Sequence, residues 1–203
     1  MTAPGLGDVS RETLDRLDAF EALVAKWTRR INLVAPSTLP DIRTRHTLDS
    51  TQVFDLAPRI ARTWVDLGSG GGFPGIICAI LAKDLAPETT FHLIESDTRK
   101  ATFLRTAIRD LGLQAQVHAR RIEQVQDLKA EVVTARALAD LARLLDLSEP
   151  YRQDDTVLLF PKGQSWRSEV EEARNHWSFD LETCTSKTNP AASILKITGV
   201  ARV

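Results

Sequence analysis

Cysteine is scarce in this chain: Cys78 and Cys184 are the only two in 203 residues, and they match no metal-ligand spacing. Cys78 sits inside the apolar run IICAILA and reads as a packing residue. The four histidines are scattered, with no pair at metal or catalytic-triad spacing, so no metal and no acid–base residue are expected. No apolar run approaches the roughly 20 residues of a membrane span. The first ten residues, MTAPGLGDVS, carry neither a basic segment nor an apolar stretch, so no secretory signal is expected. A reduced, cytoplasmic setting without a membrane partner follows as the default. There is also no excess of positive charge. A formal charge of −1 argues against a generally basic nucleic-acid binder, although a cationic face balanced elsewhere by acids stays open.

What is present is ordinary globular composition, 43% apolar and 26% charged, in a chain long enough for one sizeable core. The first 60 residues read as helical. Ser10 can cap a helix in which Leu14, Leu17, Phe20, Leu23, Val24, Trp27 and Ile31 recur at spacings of three and four. Pro36 and Pro40 break that pattern, and Ile42, Leu48, Val53 and Leu56 suggest a second helix. From residue 63 onward short β-rich runs alternate with helical stretches, the pattern of a mostly parallel sheet covered on both faces. Asp97 and Gly112 bracket one of these helices as cap and stop. The last two runs, FDLETCTS and SILKITGVARV, have no helix between them and suggest an antiparallel pair at one edge. The expected division is a helical extension over 1–60 and a Rossmann-like α/β domain over 61–203.

The densest signal is WVDLGSGGGFPGI, residues 64–76, with five glycines in eight positions after a strand-like run. Each glycine costs backbone entropy, and the expected return is a ligand brought close to the main chain. Such loops lie where the first strand turns into its helix, the usual ligand site of doubly wound sheets. The spacing Asp66-x-Gly68-x-Gly70-x-Gly72 suits a cofactor with amino-acid and nucleoside parts. Gly70-x-Gly72-x-x-Gly75 formally fits a dinucleotide fingerprint, but leaves Asp66 beside an anionic pyrophosphate. An ammonium and a sulfonium would favour that acid instead. Glu95, at the end of the next strand, can accept both hydroxyls of a ribose in either case.

The loop, Glu95 and the element order resemble the class I S-adenosylmethionine methyltransferases. INLVAP, RHTLDS, DLGSGGGFPGI, RRIEQV, TARAL and FPKG, in that order, narrow the resemblance to the bacterial 16S ribosomal RNA guanine-N7 methyltransferases, the glucose-inhibited division protein B family. Ala135-Arg136-Ala137 departs from the Ser-Arg-Ala of many members, leaving the arginine in place. The resemblance implies S-adenosylmethionine as methyl donor, no metal, and 16S ribosomal RNA or the small subunit as partner rather than DNA. It places Gly68 and Phe73 at the donor, Glu95 at its ribose, and Ile122 and Glu123 at its adenine. Arg136 falls at the methionine end and the substrate entrance, as a positioning group.

Guanine N7 has a lone pair and no proton, so alignment replaces a general base. Arg45, Arg121, Lys162 and Arg167 are candidate RNA contacts among a wider basic series, with Lys162 singled out because it follows a strand end. His46, Asp49 and Ser50 are read as fastening the amino-terminal helices over the donor. The chain is expected to act as a monomer. Two other functions stay open at this point: a methyltransferase for a small molecule or protein, and a non-catalytic nucleotide-binding regulatory module.

Overall fold

The computed structural model describes residues 9–203; the opening stretch read for a secretory signal lies, up to residue 8, outside the described residues. Helix α1 (Arg11–Thr28) begins where expected, with the Ser10 hydroxyl accepting the Thr13 N–H at 3.1 Å. Its buried stripe is Thr13, Leu17, Phe20 and Val24. Leu14 instead lies 38% exposed, because Thr13 takes the inner position and donates its hydroxyl to Asp84 at 2.5 Å. The second helix starts later than its apolar spacing suggests. Arg43–Thr47 form a wide π-helical turn that runs into α2 (Leu48–Leu56).

The remainder is a seven-stranded sheet in the order β3-β2-β1-β4-β5-β7-β6. Its strands are β1 (Thr63–Leu67), β2 (Thr90–Ile94), β3 (Ala115–His118), β4 (Val132–Ala135), β5 (Val157–Lys162), β6 (Trp177–Thr185) and β7 (Ser193–Arg202). The first five are parallel to one another; β7 inserts antiparallel between β5 and β6. The strand order reverses beside β1, which pairs with β2 on one side and β4 on the other. That reversal opens a crevice at the carboxyl ends.

Two cores result from strand alternation. Trp64 of β1 joins Phe20 and Val24 of α1, Val53 of α2, and residues of α3 (Gly75–Leu85) and α4 (Thr98–Leu111). Val65 and Leu67 face the opposite way, toward α5 (Leu141–Ser148) and α6 (Trp166–Ala173). Cys78 is fully buried in the first core. Asp97 caps α4, accepting the Arg99 N–H at 2.8 Å, and Gly112 ends it at φ 61°. Among the described residues no helix is long and apolar enough to cross a membrane.

Candidate functional site

Two adjoining cavities occupy the carboxyl edge of the sheet. The first, about 430 Å³, lies between the glycine loop, the end of β2 and the Arg120–Glu123 segment. Gly68, Gly70, Phe73, Glu95, Ile122, Glu123 and Arg136 all line it. Glu95 Oε2 accepts the Gly70 N–H at 2.9 Å and Oε1 accepts the Asp97 N–H at 2.7 Å, so this carboxylate ties the loop to the β2 end. Gly70 has φ 52°, and a Cβ there would meet nothing closer than 3.7 Å. The loop therefore leaves open space on the cleft side of Gly70, in a backbone conformation that suits glycine. Ile94, Ile122, Leu147 and Leu33 supply apolar wall.

Two expected donor contacts need correction. Asp66 does not line the cleft. It is 1% exposed and points, like Trp64, toward the α3 side of β1. There Oδ1 accepts the Thr134 hydroxyl at 2.7 Å, and a Cβ on Gly75 would come within 2.6 Å of Oδ2. Burial pushes this carboxyl up to about 6, against the lowering effect of the Thr134 and Ser69 hydrogen bonds and the Arg136 charge. The aspartate before the glycines thus sits beneath the loop, at the amino end of α3, and position 75 needs glycine because any side chain there would fill the space Asp66 occupies. Gly72 also turns away from the cleft: its Cβ would meet Ile76 at 2.8 Å and Phe20 at 2.9 Å, so its bareness admits α1 rather than a ligand.

The second cavity, about 620 Å³, is lined by Asp49, Lys162, Glu169, Ser186 and Ser193 among others. Arg136, Ala137 and Leu138 border both cavities. Ala137 holds φ 53°, a left-handed conformation costing a non-glycine residue roughly 1 kcal/mol, at the wall between them. Arg136 Nη2 lies 3.1 Å from His46 Nδ1, and His46 Nε2 lies 2.9 Å from Thr38 Oγ1. Burial first, then the Arg136 charge, push the His46 imidazole down to about 4, so it is neutral near pH 7. A guanidinium only donates, which assigns Nδ1 as acceptor and puts the proton on Nε2, toward Thr38. Arg136 also packs 5.2 Å from the Phe73 ring centre. Burial lowers its proton affinity, while Asp49 and Asp66 raise it.

Lys162 is a third correction. Its side chain is 8% exposed, donates to the Ala139 carbonyl at 2.7 Å and pairs with Glu169 at 2.5 Å. It fastens the β5 end to the β4–α5 loop and α6, and has no free stem to reach a phosphate. Arg45 and Arg167 are exposed and line neither cavity; Arg167 stacks 4.3 Å over Trp166. Arg121 is exposed at the rim of the first cavity with Arg120 and Lys100. Leu33, Leu138 and Ser186 were not expected at the site, because no local pattern links them to the glycine loop; Asp49, expected only to fasten the amino-terminal helices, lines the second cavity.

Fold and site together define a class I methyltransferase architecture. Solved structures share it at low identity: magnesium protoporphyrin IX methyltransferase from Synechocystis with bound SAM (TM-score 0.62, 14% identity, 94% of this chain and 98% of that one) and M. jannaschii TYW2 in complex with AdoMet (0.59, 15%, 87% and 80%). The family model GidB, rRNA small subunit methyltransferase G, matches residues 13–193. Relatives bearing the name ribosomal RNA small subunit methyltransferase G include one from Ruegeria pomeroyi, 52% identical over 97% of this chain and 96% of that protein. Another, from Rhodospirillum centenum, is 50% identical over 95% and 87%. The chain belongs to this rRNA small subunit methyltransferase G family.

Proposed function

We propose that the chain transfers a methyl group from S-adenosylmethionine to N7 of a guanine in 16S ribosomal RNA. The observation that carries this reading is the shared wall at Arg136: in a chain of this family, one loop separates a nucleoside-sized cleft from a second cavity open to an acceptor. The first cavity suits the donor. Bare backbone at Gly70 admits close approach, Glu95 would accept ribose hydroxyls, and Ile122 with Glu123 offers an apolar face and an acid for an adenine. Arg136 is placed to hold a carboxylate at the end nearest the acceptor.

When bound, S-adenosylmethionine supplies an electrophilic methyl on a sulfonium. The protein's task is alignment, which can be worth roughly 7–11 kcal/mol at its extreme. No side chain needs to take a proton, and the neutral His46 serves to hold Arg136. The exposed Arg45, Arg121 and Arg167 are proposed to meet RNA phosphates, each by a screened charge contact. The chain is proposed to act as a monomer in the cytoplasm.

The test is methyl transfer to small subunits from cells lacking this protein, followed by borohydride and aniline cleavage. A single cut at one guanine of 16S RNA is expected. Label on ribose, another base, a protein or a small molecule would replace this reading with one of the alternative acceptors.

A further inference from the structure

The second cavity holds an arrangement of opposite charges that its own walls do not neutralise. Lys162 and Glu169 are joined to one another, and Asp140, exposed at the rim, caps α5 by accepting the Arg143 N–H at 2.9 Å. Asp49 differs. Its Oδ1 accepts the Ser186 and Thr188 hydroxyls, each at 2.9 Å, which fixes the carboxylate against the Ser186–Asn189 turn. Its Oδ2 accepts no hydrogen bond among the described residues. Arg136 lines the same cavity and lies close enough for its charge and that of Asp49 to act on one another. The two form no ion pair within 4 Å among the described residues. A guanidinium at the border with the first cavity thus shares a gap with an oriented carboxylate.

We infer that this pair recognises the acceptor base, with Asp49 accepting the guanine N1–H and Arg136 donating to O6. The inference rests on the guanine-N7 reading and deepens it. On the guanine ring O6 stands next to N7, so a donor to O6 belongs beside the methyl, where Arg136 is. N1–H comes next around the ring, farther from the methyl, where Asp49 is. Adenine has a lone pair at N1 and an amine in place of O6. It would set lone pair against carboxylate and donor against guanidinium, so the pair selects guanine by repelling adenine.

The same contact favours the reaction. As the N7 lone pair bonds to the methyl carbon, the sulfur–carbon bond breaks and its electrons remain on sulfur; no proton is transferred. Positive charge then develops on the purine and makes N1–H a stronger donor. The hydrogen bond to Asp49 is therefore stronger in the transition state than in the bound substrate, the condition for raising the rate. Asp49 here touches substrate, whereas Ser186 and Thr188 position it.

The experiment uses the full chain, saturating S-adenosylmethionine and unmethylated small subunits, with single-turnover rate and donor affinity measured for Asp49→Ala and Asp49→Asn. Loss of one charge-assisted bond predicts a rate decrease of about 10- to 100-fold for Asp49→Ala, less for Asp49→Asn, and donor affinity within about threefold of wild type.

A second readout is independent of orientation in the fold. Guanosine monophosphate should compete with RNA better than adenosine monophosphate, and Asp49→Asn should reduce that preference, leaving the part that Arg136 supplies. Wild-type rates in both Asp49 variants, an equal loss of donor affinity, or an unchanged preference between the two nucleotides would overturn the inference. If Asp49→Ala does not fold, the near-isosteric Asp49→Asn carries the same comparison. Wild-type transfer to an atom other than guanine N7 is visible before any variant is made, and would overturn the guanine-N7 reading and this inference together.

Discussion

Asp66 gives a sharp prediction about stability. Its carboxyl is fully buried, accepts the Thr134 hydroxyl at Oδ1, and stands at about 6 instead of an ordinary 3.8. A rise from 3.8 to about 6 corresponds to about 3 kcal/mol, at ~1.4 kcal/mol per pH unit. The sign follows from proton binding. Between these two values the folded chain holds the proton more tightly than the unfolded chain does. The stabilisation is therefore fully present below about 3.8 and is lost as pH rises through about 6.

Other carboxyls act oppositely: the Arg99 side chain and the backbone N–H groups of α4 hold Asp97 down at about 2, so its contribution is lost at low pH. A bare stability profile would mix these effects. Comparing wild type with Asp66→Asn cancels them. Urea unfolding of both proteins from pH 4 to 8 should show wild type losing about 2–3 kcal/mol relative to the variant, with most of the change between pH 4 and 6.5. A difference that stays flat within about 0.5 kcal/mol would show that Asp66 is not a buried, tightly protonated acid and would refute this reasoning.

Gly70→Ala should lose about 1 kcal/mol of stability from its positive φ and at least about tenfold in donor affinity, measured by calorimetry, since the new methyl projects into open cleft. Lys162→Ala should lower stability by ~3 kcal/mol, because Glu169 is left without its partner in a mostly buried site. RNA affinity per folded molecule should change little, so a salt-dependent loss of RNA binding without loss of stability would contradict the assignment. Arg121→Ala and Arg45→Ala should each weaken RNA binding at low salt and reduce the salt slope by about one, as single phosphate contacts do. Arg136→Ala should weaken donor binding and slow transfer, each charge-assisted bond being worth roughly 1.5–3 kcal/mol.

The features that depend on neighbours in the chain were legible without coordinates. Ser10, Asp97 and Gly112 mark helix ends because caps are made within three or four residues. Alternation and helical periodicity carry the parallel sheet and its antiparallel edge, and the glycine run marks the strand-to-helix turn. Glu95, Ile122, Glu123 and Arg136 follow strand ends or family motifs and do converge on one cleft. What tertiary structure alone decided is the direction in which each bare or charged residue faces. Gly70 opens toward the cleft and Gly72 toward Phe20, two positions apart in one loop, because α1 packs on only one side of it. Asp66 is hidden because alternation places it on the α3 side of β1, a side that composition cannot reveal. Lys162 is consumed by Glu169, and Arg136 meets His46 across 90 residues of sequence while Asp49 meets Ser186 across 137. No sequence period spans those separations. Only the strand order and the antiparallel return of β7 bring such groups within a hydrogen bond of one another.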